Sequence, residues 1–120
     1  MDEKFNTSGA NAGDLDPING MFWSWQSGYI NFKIEGKSPS CTTRKNKFQF
    51  HIGGYQKPNA TIRTLAFNLA SIKEKTLTIH LDAYPFFKSI HLDSQNQVMI
   101  PGKEANSVAN LLPKMFSIHE

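Results

Sequence analysis

Apolar and polar positions alternate over residues 29–35, with Ile30, Phe32 and Ile34 on one face and Asn31, Lys33 and Glu35 on the other. A period of two with one greasy face predicts a half-buried strand. The same period returns over 47–52, where Phe48, Phe50 and Ile52 oppose Lys47, Gln49 and His51. It appears again over 76–81, where Leu77, Ile79 and Leu81 oppose Thr76, Thr78 and His80, and Thr and Ile enrichment favours a strand there. Residues 61–69 predict a further strand with Leu65, Phe67 and Leu69 on one face. Ile62 falls on the other parity, which points to a bulge or to a strand covered on both faces. Phe32, Phe50, Phe67, Ile79 and Leu81 are the core that this pattern predicts.

Between these runs the chain is punctuated by turn formers. Residues 36–46 collect Gly, Pro, Ser, Thr and Asn, while Gly53-Gly54 and Pro58-Asn59 mark the next connection. Asp82 can satisfy free amides at the start of a short helix through Tyr84, Pro85, Phe86 and Phe87, since proline is tolerated in a first turn. Val98–Ile100 fits one more short strand before Pro101-Gly102. Ala105, Val108, Ala109, Leu112, Met115 and Phe116 recur at helical spacing, and Pro113 should kink or end that amphipathic helix. The expected class is all-β or β-dominated: an antiparallel β-sandwich with a short helix and a C-terminal amphipathic helix. Residues 1–18, rich in Asn, Gly, Asp and Ser, lack apolar periodicity and are expected as a flexible tail or linker ahead of a single domain over 19–120.

Length and composition agree with one packed domain. At 120 residues the chain is long enough to bury about two thirds of its unfolded surface. Nine Phe, three Tyr and two Trp are more aromatic mass than a disordered chain carries. Thirteen Lys and Arg against ten Asp and Glu give +3, spread along the sequence without a basic stripe, which argues against nucleic acid as a partner. Cys41 is the single cysteine, so neither an internal disulfide nor a thiolate zinc site holds this fold, and its polar loop predicts an exposed, dispensable thiol. No run of apolar residues reaches membrane-spanning length, so no transmembrane segment is expected, and the opening residues lack the pattern of a signal peptide.

The common catalytic signatures are missing: no glycine-rich phosphate loop, nucleophile elbow, His-Glu-x-x-His or paired-cysteine motif occurs. Only scattered acid–base candidates are in reach, such as His80 with Asp82 two apart on a strand, and a noncatalytic protein is expected. Asp14, Asp16 and Asn19 before Gly20 lack the downstream glutamate of a calcium loop. Four aromatics fall within Phe22–Tyr29, and strand geometry would put Trp23 and Trp25 on one face. With Tyr29 and Tyr55 they form a candidate aromatic wall for stacking on a sugar or peptide. Of the four histidines, His51, His80 and His91 are candidate metal ligands, and His119 sits at the chain end.

The run Asp16-Pro17-Ile18-Asn19-Gly20-Met21-Phe22-Trp23-Ser24-Trp25-Gln26-Ser27-Gly28-Tyr29, continuing to Gly36, resembles the C-terminal half of the MbnP-like family of bacterial envelope proteins. Phe48-Gln49-Phe50-His51-Ile52-Gly53-Gly54-Tyr55 and the closing stretch from Val98 to Phe116 are similar in the same way. The resemblance implies a β-sandwich in the periplasm or on the outer cell surface, often a lipoprotein. Some relatives bind copper through histidines and an oxidised tryptophan, which places copper, as metal ion or cofactor, at His51 with Trp23 or Trp25. It also implies that a further N-terminal half packs on this part. A small ligand held by the aromatic wall, with no metal, is the alternative.

Overall fold

A computed structural model describes residues 6, 8–10, 12–73 and 75–118. Its centre is the antiparallel pair of β2 (Gly28–Lys37) and β3 (Lys47–Gly53). The register sets Phe32 opposite Ile52, Ile34 opposite Phe50 and Gly36 opposite Phe48. The same register puts Lys33, Glu35 and Lys37 opposite His51, Gln49 and Lys47, so the pair has one apolar and one polar face, as the alternation requires. β1 (Phe22–Ser24) flanks β2, and β5 (Gln97–Val98) flanks β3 to complete a four-stranded sheet. β4 (Ile79–Leu81) and β6 (Phe116–Ile118) form a second, two-stranded sheet.

The apolar face is covered by two helices. α1 (Tyr84–Ser89) starts where Asp82 accepts a hydrogen bond from the Tyr84 amide at 3.0 Å, and Pro85 occupies its first turn. Phe86, fully buried, meets Phe50 edge-on with ring centres 5.3 Å apart and touches Phe87 at 5.2 Å. α2 (Lys103–Ala109) adds Ala105, Val108 and Ala109, and the 3-10 turn that follows, Leu112–Met115, adds Leu112 and Met115.

The β-dominated class and the two sheets match expectation, but several particulars do not. β5 runs parallel to β3, so the sheet is not purely antiparallel. The expected strand over 61–69 is absent, and this stretch is irregular, with Ile62, Leu65 and Leu69 exposed. Instead of pairing with a strand, it is pinned at its start by the buried Thr61, whose amide and hydroxyl donate to the Gly54 carbonyl and whose hydroxyl accepts from Asn31 Nδ2, and then by Arg63. Arg63 donates through Nε to Asn110 Oδ1, through Nη1 to the carbonyls of Ala60 and Ile62, and through Nη2 to the Asn106 carbonyl and Oδ1. All of its donors are thereby used, two on its own stretch and three on Asn106 and Asn110 toward the C-terminal end of α2, where exposed carbonyls favour a cation.

The strand expected over 76–81 shrinks to β4, and Ile79 and Leu81, expected in the core, are 52% and 59% exposed. Among the described residues β4 pairs with β6 alone, and all three of its residues are exposed. Phe32 and Phe67 are half-buried, and Phe50 is fully buried. The terminal helix ends at Ala109, before Pro113, and its expected last turns become the 3-10 turn and β6.

Cys41 corrects the sequence reading most sharply, because it is 2% exposed and belongs to the core. Its loop folds back on itself. The Cys41 amide donates to the Ser38 carbonyl at 3.0 Å, and its own carbonyl accepts from Asn46 Nδ2 at 2.8 Å. Satisfied backbone lets the loop carry its one small apolar side chain inward.

Within the stretch expected as a tail, Gly13–Leu15 and Pro17–Asn19 form 3-10 turns. Asp16 accepts from the Ile18 amide, and Asn19 Nδ2 donates to the carbonyls of Gly13 and Asp14, so these polar groups are spent on local turns. Residues 1–5, 7 and 11 of that stretch lie outside the described residues.

Candidate functional site

His51 lies in β3 on the polar face of the sheet, yet it is only 7% exposed. Its Nε2 is 2.5 Å from Oε1 of Glu35, which sits on β2 diagonally across the ladder. A carboxylate can only accept, so Nε2 is the donor of this bond, and in the neutral form of the ring the lone pair is the one on Nδ1. Lys33 Nζ lies 3.9 Å from the same Glu35 oxygen. The His51 hydrogen bond, aided by the Lys33 charge and opposed by partial desolvation, lowers the Glu35 carboxyl below its ordinary pKa.

The aromatic residues collect at the far end of β3. The Trp23 ring lies against Gly53, two residues beyond His51, so closely that a Cβ at Gly53 would sit 2.8 Å from the ring and 2.3 Å from the Tyr29 carbonyl oxygen. Only glycine fits at that crossing. Gly28, at φ +71°, is the corresponding point on β2, where a Cβ would come within 2.8 Å of the Tyr55 ring and of Asn6 Oδ1.

The four residues of the expected aromatic wall part company. Tyr29 is 3% exposed, donates its hydroxyl to the Leu15 carbonyl at 2.5 Å and accepts the Ala10 amide at 2.7 Å. It is an anchor for the N-terminal segment and not part of an exposed wall. Trp23 is half-buried, and Trp25 falls in the turn after β1, 65% exposed, so the two indoles do not share a strand face. Tyr55 is half-buried and donates to the Trp25 carbonyl at 3.4 Å. Beside it a cleft of about 170 Å³ is lined by Gln26, Ser27, Tyr55, Gln56, Lys57 and Asn59, among others.

The histidines also separate. His80 lies on β4 of the second sheet, opposite Ser117, and His91 is exposed in the turn after α1, while His119 lies outside the described residues. Among the described residues no group of three His, Cys, Asp or Glu side chains could hold a metal ion. His51 and Glu35 together offer one imidazole nitrogen and one carboxylate. A copper centre of useful affinity takes two or three imidazole or sulfur donors, so these residues alone do not fit a closed copper site. Sequence reasoning missed Glu35, although its position on the polar parity of β2 was the available signal.

Fold and site together define a β-dominated domain with a buried histidine paired to an exposed carboxylate on the polar face of its main sheet. The family model described as MbnP matches residues 1–100, and the chain belongs to the MbnP family. The match begins within the stretch expected as a linker. No curated protein and no solved structure gives a significant match. No helix among the described residues is long and apolar enough to cross a membrane.

Proposed function

We propose that this chain is a noncatalytic binding domain of an exported MbnP-family protein, and that His51 supplies a single nitrogen donor, Nδ1, to copper. The observation that carries this reading is the His51–Glu35 pair, because a carboxylate on one ring nitrogen fixes the tautomer and orientation of a ligating imidazole. The Trp23 ring, held against Gly53 on the same strand, is the nearby indole of the resemblance. One fixed imidazole gives weak binding, and tighter binding needs donors from outside the described residues, such as a further N-terminal half packed on this part. Cu(II) titration followed by ring and indole NMR signals tests the reading. Selective broadening of His51 and Trp23, abolished in His51→Gln, is expected; both signals unmoved at excess copper would overturn it.

A second reading is supported by the cleft beside Tyr55. An exposed indole at Trp25, a tyrosine ring and the amides of Gln26, Gln56 and Asn59 are the groups that stack on and hydrogen-bond a sugar. Quenching or enhancement of tryptophan fluorescence by an oligosaccharide, lost in Trp25→Ala and retained in His51→Gln, is its signature. Fluorescence unchanged across an oligosaccharide panel would reject it.

A further inference from the structure

The sequence scatters its charge, but the fold gathers part of it. From Gly36 through Lys73 there is no Asp or Glu. The register of β2 and β3 sets Lys37 directly opposite Lys47, a like-charge pair that works against the sheet. Arg44 and Lys45 stand immediately before β3 in the 3-10 turn Arg44–Asn46, with Lys45 and Asn46 in the left-handed conformation at φ +62° and +54°. Neither is glycine, so the turn holds an uncommon conformation next to a concentration of positive charge.

A cleft of about 330 Å³ opens at this place, lined by Thr43, Arg44, Lys45, Lys47, Gln49 and Gln97. Its lining is three cations, two amides and a hydroxyl, with no carboxylate. The nearest acid along the sheet is Glu35, whose ion pairs are to His51 and Lys33, and none of Lys37, Arg44, Lys45 and Lys47 makes an ion pair among the described residues. The backbone beneath is tied down. Thr43 Oγ1 donates to the Lys47 carbonyl at 2.5 Å, the Ser38 amide to the Asn46 carbonyl at 2.9 Å, and Asn46 Nδ2 to the carbonyl of the buried Cys41.

We propose that this cleft is a binding site for a phosphoryl group, carried either by free phosphate or by a lipid headgroup. Uncompensated cations on an anchored turn, kept together despite their repulsion, gain most from a ligand with two negative charges. The side-chain amides of Gln49 and Gln97, which line the same cleft, supply neutral donors beside the cations. The site is independent of copper and of the Tyr55 cleft.

The test is an amide NMR titration of the whole chain with inorganic phosphate, against sodium chloride at matched ionic strength. Saturable shifts confined to residues 43–49 and 97 are expected from phosphate and not from chloride. A parallel arm measures co-sedimentation with phosphatidylglycerol vesicles against phosphatidylcholine vesicles. The double variant Arg44→Gln, Lys47→Gln should weaken binding at least about tenfold, while melting no lower than the parent because a repulsive pair is gone. Saturable phosphate binding identifies the free ion as a ligand, and vesicle binding alone identifies the headgroup. Shifts no larger than those of chloride together with no preference for anionic vesicles, or binding unaltered in a folded double variant, would overturn the proposal.

Discussion

Phe50 and Ile79 have equal standing in the alternation pattern, and the structure separates them, so truncating each to alanine is the most direct test of the fold. Phe50 is fully buried, with the Phe86 ring edge-on at 5.3 Å and Phe48 at 6.1 Å. Removing a buried phenyl ring costs roughly 3 to 5 kcal/mol, and the packed rings around this one leave little freedom to collapse into the space. That is a large share of the roughly 5 to 15 kcal/mol by which domains are stable. At about 4 °C per kcal/mol for a chain of this size, Phe50→Ala should lower the melting temperature by on the order of 12 to 20 °C. Ile79 is 52% exposed, and Ile79→Ala belongs among surface changes of about 0.5 kcal/mol, a shift of roughly 2 °C. Calorimetric melts of parent and both variants read the difference. Equal shifts for the two variants would refute the assignment of the core to the β2–β3 face and α1.

Cys41→Ser should destabilise by about 1 to 3 kcal/mol, since it puts a hydroxyl into the core, and the native thiol should resist an aqueous thiol reagent until the protein unfolds; both are read by reagent kinetics alongside melts. Gly53→Ala should cost at least about 1 to 3 kcal/mol, because its Cβ would collide with the Tyr29 carbonyl oxygen and the Trp23 ring, and a melt within error of the parent would contradict that crossing. Arg63→Ala should leave the melting of the sheet nearly intact while raising the rate of limited proteolysis between Thr64 and Ser71, and unchanged cleavage would deny Arg63 its pinning role. Glu35 has a lowered pKa in the folded state, so its contribution is present above the unfolded carboxyl pKa and is lost as pH falls through the folded value. Glu35→Gln should flatten that part of the stability–pH curve, read from melts between about pH 2 and 6.

Alternation carried β2 and β3 through to the structure because their faces largely have the fates it assumes, one covered by α1 and α2 and one, apart from the buried His51, facing outward. It failed at β4, where parity names a face but cannot say whether anything covers it. The 61–69 stretch failed for a related reason: its apolar residues have no partner edge, and the residues that fix it, Thr61 and Arg63, bond to Asn31 and to Asn106 and Asn110, far away in sequence. The turn formers around Cys41 predict a surface loop, whereas its turns close on themselves and the thiol is buried. The Lys37–Lys47 pair was invisible to a count of net charge and follows only from register. His51 was visible as a candidate, but its partner Glu35 became meaningful only with the diagonal across the ladder.

The Arg63 clamp at one end and the β4–β6 pair at the other close the intervening chain into a loop whose two feet are fixed independently of its contour. Closing a flexible loop becomes only about 0.6 kcal/mol harder for each doubling of its length. Extra chain inserted in the exposed turn around Asn68–Ile72 should therefore leave the sheet and both clefts undisturbed. That turn is the natural place to graft an epitope or fluorophore, a handle for following the domain without labelling the face that carries His51.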